Sequence, residues 1–160
     1  MNRNELYLKT AFCCMACDGE IAQEEIETIE NMPYFKEMDL RQLLSSCVEQ
    51  LKQEGSIFLK KYLDEVRKAS LSELEECELT KIAIQTIEVD EAVEYNEIAF
   101  FKKIRKCLKA SDDTLLAAIP NNDILDGQIC REDYLQPDIV EDDDMSLWAD
   151  TFTNLNISFQ

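Results

Sequence analysis

The chain has 160 residues, a length that suits one domain with a hydrophobic core and is too short for two domains of ordinary size. Its formal net charge of −18 repels phosphate backbones and anionic lipid headgroups, and it favours cations or basic protein surfaces as partners. The absence of histidine excludes histidine general bases, serine–histidine and cysteine–histidine nucleophile pairs, and the commonest ligand of transition metals. We therefore expect a non-catalytic protein that binds no nucleic acid and does not insert into membranes.

The seven cysteines are spread through segments with helical periodicity, and their odd number does not favour a disulfide framework. Reduced thiols are typical of the cytosol, so we expect a cytoplasmic protein. The apolar run over residues 11–17 is flanked by Lys9 and Asp18 and is far too short to span a bilayer. We identify no targeting segment.

The first three predicted elements are helices. Three glycines and three prolines leave few turns for an all-β fold, and the apolar residues recur at helical spacing. The first helix covers residues 4–17 and stops at Gly19, and the second covers residues 22–32. Asp39 begins the third helix, whose broad apolar face continues as far as Gly55.

Four further helices follow. Serine residues are predicted to cap the next two: Ser56 the fourth, and Ser70 or Ser72 the fifth. The fifth helix is predicted to carry Leu74 among its apolar residues. The sixth covers residues 94–109, and the seventh opens at residues 111–113 and is closed by Pro120. Seven helices with short links predict a single all-α bundle over residues 1–120.

The composition changes after residue 120. Residues 121–160 contain ten acidic residues and one basic residue, whereas residues 1–120 contain 24 acidic and 15 basic residues, so half of the net charge lies in the last quarter of the chain. The end of this extension has a helical apolar face followed by a strand-like alternation: Met145, Trp148 and Phe152, then Leu155, Ile157 and Phe159. We therefore predict an acidic extension over residues 121–160 that is partly ordered or docks on the domain.

Two windows of the sequence match at an offset of 72 residues, beginning at Asp18 and at Asp90. They share an aspartate, an aliphatic residue three positions later, and a Glu-Ile pair that contains Glu25 in the first copy and Glu97 in the second. Each window follows an apolar helix and precedes an amphipathic one. The sequence therefore predicts a pseudo-duplicated helix–loop–helix, with one acid in each loop and one in each second helix.

The first copy of the repeat resembles the "ADG…E" signature of TerB-like domains, a family associated with tellurite resistance and stress responses. The residues that carry the resemblance are the stretch 15–21, MACDGEI, and Glu25. By helix pattern the similarity covers residues 5–118, and the second, weaker copy falls where that family repeats the motif. In this sequence Cys17 stands in place of the alanine and Glu91 in place of the second glycine.

The resemblance implies an all-α, bacterial, cytosolic and non-enzymatic domain that in some members binds divalent cations through the repeated acids. Carried over to this chain, the candidate ligands of calcium or magnesium are Asp18, Glu25, Asp90 and Glu97. Carboxylate oxygens suit these ions. The structural alternative is that each aspartate accepts backbone N–H bonds at the start of the next helix, while each glutamate braces its loop or faces water.

An EF-hand is a further interpretation of the first copy. Residues 18–21 and Glu25 fit loop positions five to eight and twelve of that motif. Positions one and three would be Cys14 and Ala16, which supply no carboxylate, so the sequence does not favour this interpretation.

Cys14 and Cys17 form a CxxC pair, a spacing found in redox and zinc sites. The pair lies at the C-terminal end of the first helix, where the helix dipole disfavours a thiolate, and the chain contains no second cluster to complete a zinc site. We interpret these cysteines as small apolar core residues.

The sixth helix carries five basic residues in an otherwise acidic chain: Lys102, Lys103, Arg105, Lys106 and Lys109. We interpret them as a solvated face, with docking of the acidic extension or of an acidic partner as the alternative. The sequence as a whole predicts a TerB-like binding or adaptor module with a protein partner and a divalent-cation site. The alternative is a purely structural interaction module that uses its acidic extension and binds no ion.

Overall fold

In a computed structural model of the chain, the described residues are 3–17, 20–89, 95–118 and 156–157. Within these ranges the chain forms seven α-helices, one 3-10 turn and two short strands, which confirms the predicted all-α class. The elements in chain order are α1 (Arg3–Ala16), β1 (Glu20–Ile21), α2 (Gln23–Glu30), the 3-10 turn (Pro33–Phe35), α3 (Leu40–Glu54), α4 (Ser56–Lys68), α5 (Glu73–Glu88), α6 (Tyr95–Cys107), α7 (Asp112–Ala118) and β2 (Asn156–Ile157). None of the helices in the described ranges has the length and apolar character that a membrane crossing requires.

Helix α1 is at the centre of the bundle. From Leu6 to Cys17 every side chain except that of Lys9 is buried. The helix packs against α3, α4, α5 and α6, and also against the 3-10 turn and β1. A helix that is apolar on all sides is stable only when other elements surround it, so the sequence of α1 fits its central position.

The helix starts follow local capping signals. Asp39 accepts a hydrogen bond from the backbone N–H of Gln42 at 3.4 Å, as the sequence predicts for the start of α3. Ser72 and Glu75 exchange side-chain and backbone hydrogen bonds of 3.2 and 2.9 Å at the start of α5, which is a complete capping box. Ser72 is therefore the cap of α5, and Ser70 instead takes a left-handed φ of 53° just after α4.

One local prediction is wrong, and one predicted helix residue is exposed. Ser56 is the first residue of α4 and not its cap, because α3 and α4 are joined through Gly55 alone, at a φ of 62° that side chains rarely adopt. Leu74 is 70% exposed. It lies in the first turn of α5, where Glu76 and Cys77 take the buried positions instead.

The two strands connect the end of the chain to its first half. β2 pairs with β1 in parallel, with Asn156 opposite Glu20 and Ile157 opposite Ile21. The predicted strand is confirmed for these two residues, and the alternation of Leu155, Ile157 and Phe159 stays a prediction. The predicted helical face of Met145, Trp148 and Phe152 lies outside the described residues and stays a prediction.

Candidate functional site

The repeat in the sequence corresponds to two helix–loop–helix units with matching boundaries. Helix α1 ends at Ala16 and α2 begins at Gln23, while α5 ends at Glu88 and α6 begins at Tyr95. Each boundary in the first unit lies 72 residues before the corresponding boundary in the second unit, and this is also the offset between the two sequence windows. The two segments that carry Asp18 and Asp90 therefore lie between equivalent helix boundaries along the chain.

The first loop is organised around Glu25. This residue is the third of α2, and its side chain is 1% exposed. One carboxylate oxygen accepts a hydrogen bond of 3.0 Å from the backbone N–H of Ala22, and the Ala22 carbonyl accepts bonds from the N–H groups of Glu25 and Ile26 at 3.1 and 3.2 Å. The loop end is thus tied to the first turn of α2, so Glu25 has the bracing role that the structural interpretation predicts.

The other three candidate ligands are not placed relative to Glu25. Asp18 and Asp90 lie outside the described residues, and Glu97 lies in α6 with a side chain that is not described. Among the side chains that are described, no three cysteine, aspartate or glutamate groups are arranged to hold a metal ion. The four-acid cation site therefore stays a prediction.

The two units are joined where α1 and α5 begin. Arg3 forms an ion pair of 2.9 Å with Glu75, and the Tyr7 hydroxyl donates to Glu78 at 3.1 Å. The backbone N–H of Ser72, together with Arg3, lowers the pKa of the Glu75 carboxyl. Burial raises the pKa of the Tyr7 hydroxyl, so this hydroxyl stays a donor at neutral pH.

The CxxC cysteines belong to the core, as interpreted from the sequence. Cys14 and Cys17 are fully buried, and the Cys17 thiol donates to the Cys13 carbonyl at 3.0 Å, one helical turn back. Burial raises the pKa of the Cys13 thiol well above its ordinary range and raises that of Cys47 to about 11. Neutral thiols of this kind are poor nucleophiles and poor metal ligands.

The interpretation of the basic residues of α6 as a solvated face is wrong for Lys103. Lys103 is only 4% exposed, Lys102, Arg105 and Lys106 are half-buried, and Lys109, just after the helix, is exposed. Lys103, Arg105 and Lys106 each make a polar or electrostatic interaction. A buried ammonium group needs such a partner, because the charge loses its hydration.

Two buried polar groups were not anticipated from the sequence. Glu76 of α5 is 4% exposed and accepts backbone hydrogen bonds of 2.7 to 3.0 Å from Lys109 and Ala110, at the corner between α6 and α7. The hydroxyls of Thr10 and Tyr62 lie 2.5 Å apart in the core between α1 and α4. Their partners are more than thirty residues away in the sequence, so no local pattern could reveal these contacts.

Comparison with known proteins adds no assignment. No protein-family model matches the chain, and neither a curated protein nor a solved structure matches it.

Proposed function

We propose that the chain is a non-catalytic, TerB-like binding or adaptor module in a bacterial stress response of the tellurite-resistance type, with weak binding of a divalent cation at its two acidic loops. The observation that carries the proposal is the pair of helix–loop–helix units with matching boundaries. In that arrangement the acids named by the resemblance, Asp18 with Glu25 and Asp90 with Glu97, recur at equivalent positions.

The chemistry of the loops supports a hard cation as ligand. Carboxylates and backbone carbonyls are the donors that calcium and magnesium prefer, and a net charge of −18 raises the local concentration of cations around the whole domain. Glu25 also supports the proposal, since its buried carboxylate keeps the end of the first loop in one conformation. A loop whose end is already held in place loses less conformational entropy when it binds an ion.

The second candidate is a purely structural interaction module that binds no ion. The role of Glu25 supports it, because this carboxylate braces the loop through the Ala22 N–H without any cation. The pairing of β2 with β1 supports it as well, since it ties the end of the acidic extension to the helical domain. In this case the acidic loops organise helices, and the partner is recognised elsewhere.

Calorimetric titration separates the two candidates. Chelator-stripped protein is titrated with calcium, magnesium, manganese and zinc, and the titration is repeated on the double variant Asp18→Asn, Asp90→Asn. The cation proposal expects saturable binding in the wild-type protein that the double variant loses, because two hard ligands have become neutral amides.

The matched control is the double variant Glu37→Gln, Glu49→Gln. Both glutamates are exposed and lie outside the two loops, so this variant removes the same charge without touching the predicted site. It is expected to bind the cation as the wild type does. Equal weakening in both double variants would mean a diffuse ion atmosphere, and no saturable binding in any variant would leave the structural interaction module.

A further inference from the structure

The strand β1 is held by contacts with the helical domain in addition to its pairing with β2. Ile21 is fully buried, and β1 packs against the central helix α1. Directly after it, the backbone N–H of Ala22 is held by the buried Glu25 carboxylate at 3.0 Å. Because these contacts hold β1 against the helical domain, its backbone edge is a preformed site for a second strand.

The strand that occupies this edge is short and distant in the sequence. Among the described residues β2 contributes Asn156 and Ile157, and 37 residues of sequence, 119–155, separate it from α7. A backbone hydrogen bond adds little net free energy in water, so a short ladder is weak as a separate association. A covalent connection raises the effective concentration of the strand to the order of 1 mM, which compensates for this weakness.

We propose that the edge of β1 is a docking site for an extended peptide strand, and that the chain's own C-terminal strand closes it in the free protein. The partner expected there is a protein segment that runs parallel to β1 and places an aliphatic residue opposite Ile21, as Ile157 does in β2. In this mode main-chain hydrogen bonds supply affinity, and alternate side chains supply specificity. The site is independent of cation binding.

Closure by the tethered strand has a measurable consequence. If a free strand binds the open edge with a dissociation constant of about 0.1 mM and the tethered strand acts at about 1 mM, the closed edge binds the free strand roughly tenfold more weakly. The difference between open and closed protein therefore reports the site directly.

The experiment uses a fluorescent peptide with the sequence of residues 153–160 and follows its anisotropy in the presence of a chelator. The titrants are the full-length wild type and the full-length variant Ile157→Pro, whose proline removes the backbone N–H from β2. The variant is expected to bind the peptide roughly tenfold more tightly than the wild type. The variant Ile157→Val keeps a strand-forming residue and should behave as the wild type.

Three controls test whether the peptide binds at the edge of β1 and whether closure occurs within one chain. A peptide that itself carries Ile157→Pro should bind none of the proteins, and amide shifts of Ile157→Pro protein on adding the wild-type peptide should centre on Glu20, Ile21 and Ala22. Sedimentation should find the wild type monomeric. A dimer that Ile157→Pro abolishes would mean strand exchange between copies and would overturn closure within one chain.

Other outcomes also overturn the proposal. Equal peptide binding by wild type and Ile157→Pro would place the peptide elsewhere, and no binding to either would mean that β1 is not a docking edge. Loss of the helical circular dichroism signal in Ile157→Pro would show that β2 is essential to the fold and cannot be displaced. Because a chelator is present throughout, none of these results depends on whether the acidic loops bind a cation.

Discussion

The helices α1 and α5 hold equivalent positions in the two helix–loop–helix units, but they are buried to different extents. Helix α1 is covered on all sides, whereas α5 leaves Lys81, Gln85 and Glu88 exposed along one face. The neighbours explain the difference, since α1 contacts six other elements closely and α5 contacts α1, α2, α6 and α7.

The same comparison holds residue by residue. Lys9 of α1 and Lys81 of α5 are separated by the repeat offset of 72 residues. Lys9 is half-buried and pairs with Glu65 at 3.2 Å, while Lys81 is exposed. Four positions further along, α1 has the buried Cys13 and α5 has the exposed Gln85. The duplication thus sets where the loop between the two helices of each unit begins and ends, and the surrounding elements decide which positions must be apolar.

The largest expected effect tests this difference in burial. Phe12 of α1 is fully buried with its ring 5.7 Å from that of Phe58, and the equivalent position of α5 is Ile84, which is 1% exposed. We expect Phe12→Ala to lower the free energy of unfolding by about 4 kcal/mol and Ile84→Ala by about 3 kcal/mol, because the cavity beside the enclosed helix cannot collapse. Urea unfolding followed by circular dichroism measures both.

The order of the two costs is the decisive result. A cost for Phe12→Ala below that of Ile84→Ala would mean that α1 is no better enclosed than α5. The comparison of the two units would then have to be abandoned.

The second expected effect concerns a polar position that differs between the units. Glu76 of α5 binds the backbone N–H groups of Lys109 and Ala110, and the equivalent residue of α1 is the half-buried Asn4. We expect Glu76→Ala to destabilise the protein by about 3 kcal/mol, because the corner after α6 loses the acceptor of two backbone donors. Asn4→Ala should cost less than about 0.5 kcal/mol.

Chemical unfolding of both variants checks this prediction, and hydrogen exchange at Lys109 and Ala110 locates the effect. Faster exchange at these two amides in Glu76→Ala is expected, since they would lose their protein acceptor. If Glu76→Ala and Asn4→Ala lowered the free energy of unfolding equally, the hydrogen bonds of Glu76 to Lys109 and Ala110 would not explain its contribution to stability.

Much of the fold was predictable because its signals are local. The caps at Asp39 and Ser72 depend on residues three positions away, and helical apolar spacing depends on residues within two turns. The prediction that Ser56 caps α4 was wrong because it also relied on a local signal alone. Its local pattern is a good cap, but the chain turns at Gly55, so α4 begins one residue earlier than a serine cap allows.

The candidate site was predictable only in part. The bracing role of Glu25 depends on Ala22, which is only three positions away in the sequence, so a local pattern can reveal it. The burial of Lys103 and the contacts of Glu76 depend on segments far away in the chain, and helical periodicity does not report these. Whether Asp18, Asp90 and Glu97 converge with Glu25 likewise depends on how the two units pack, so it stays a prediction.

The smallest expected effect appears only at alkaline pH and compares a thiol from each unit. Burial raises the pKa of Cys13 in α1 well above its ordinary range, and burial also raises that of Cys77 in α5. Between an ordinary thiol pKa of about 8.5 and the raised one, the unfolded chain loses the proton while the folded protein keeps it. The contribution of these thiols to the free energy of unfolding is therefore fully present below about pH 8.5 and decreases as the pH rises.

The fully buried thiol of Cys13 should account for part of the stability lost between pH 7.5 and pH 10, so Cys13→Ala should make the free energy of unfolding fall less over this range than it does in the wild type. Cys77→Ala should recover less, since Cys77 lies nearer the surface. Urea unfolding of both variants and the wild type, with a reductant that prevents disulfide formation, gives the comparison. Equal recovery would mean that the thiols of the two units are equally shielded from water, and the contrast between an enclosed α1 and a half-open α5 would not extend to their cysteines.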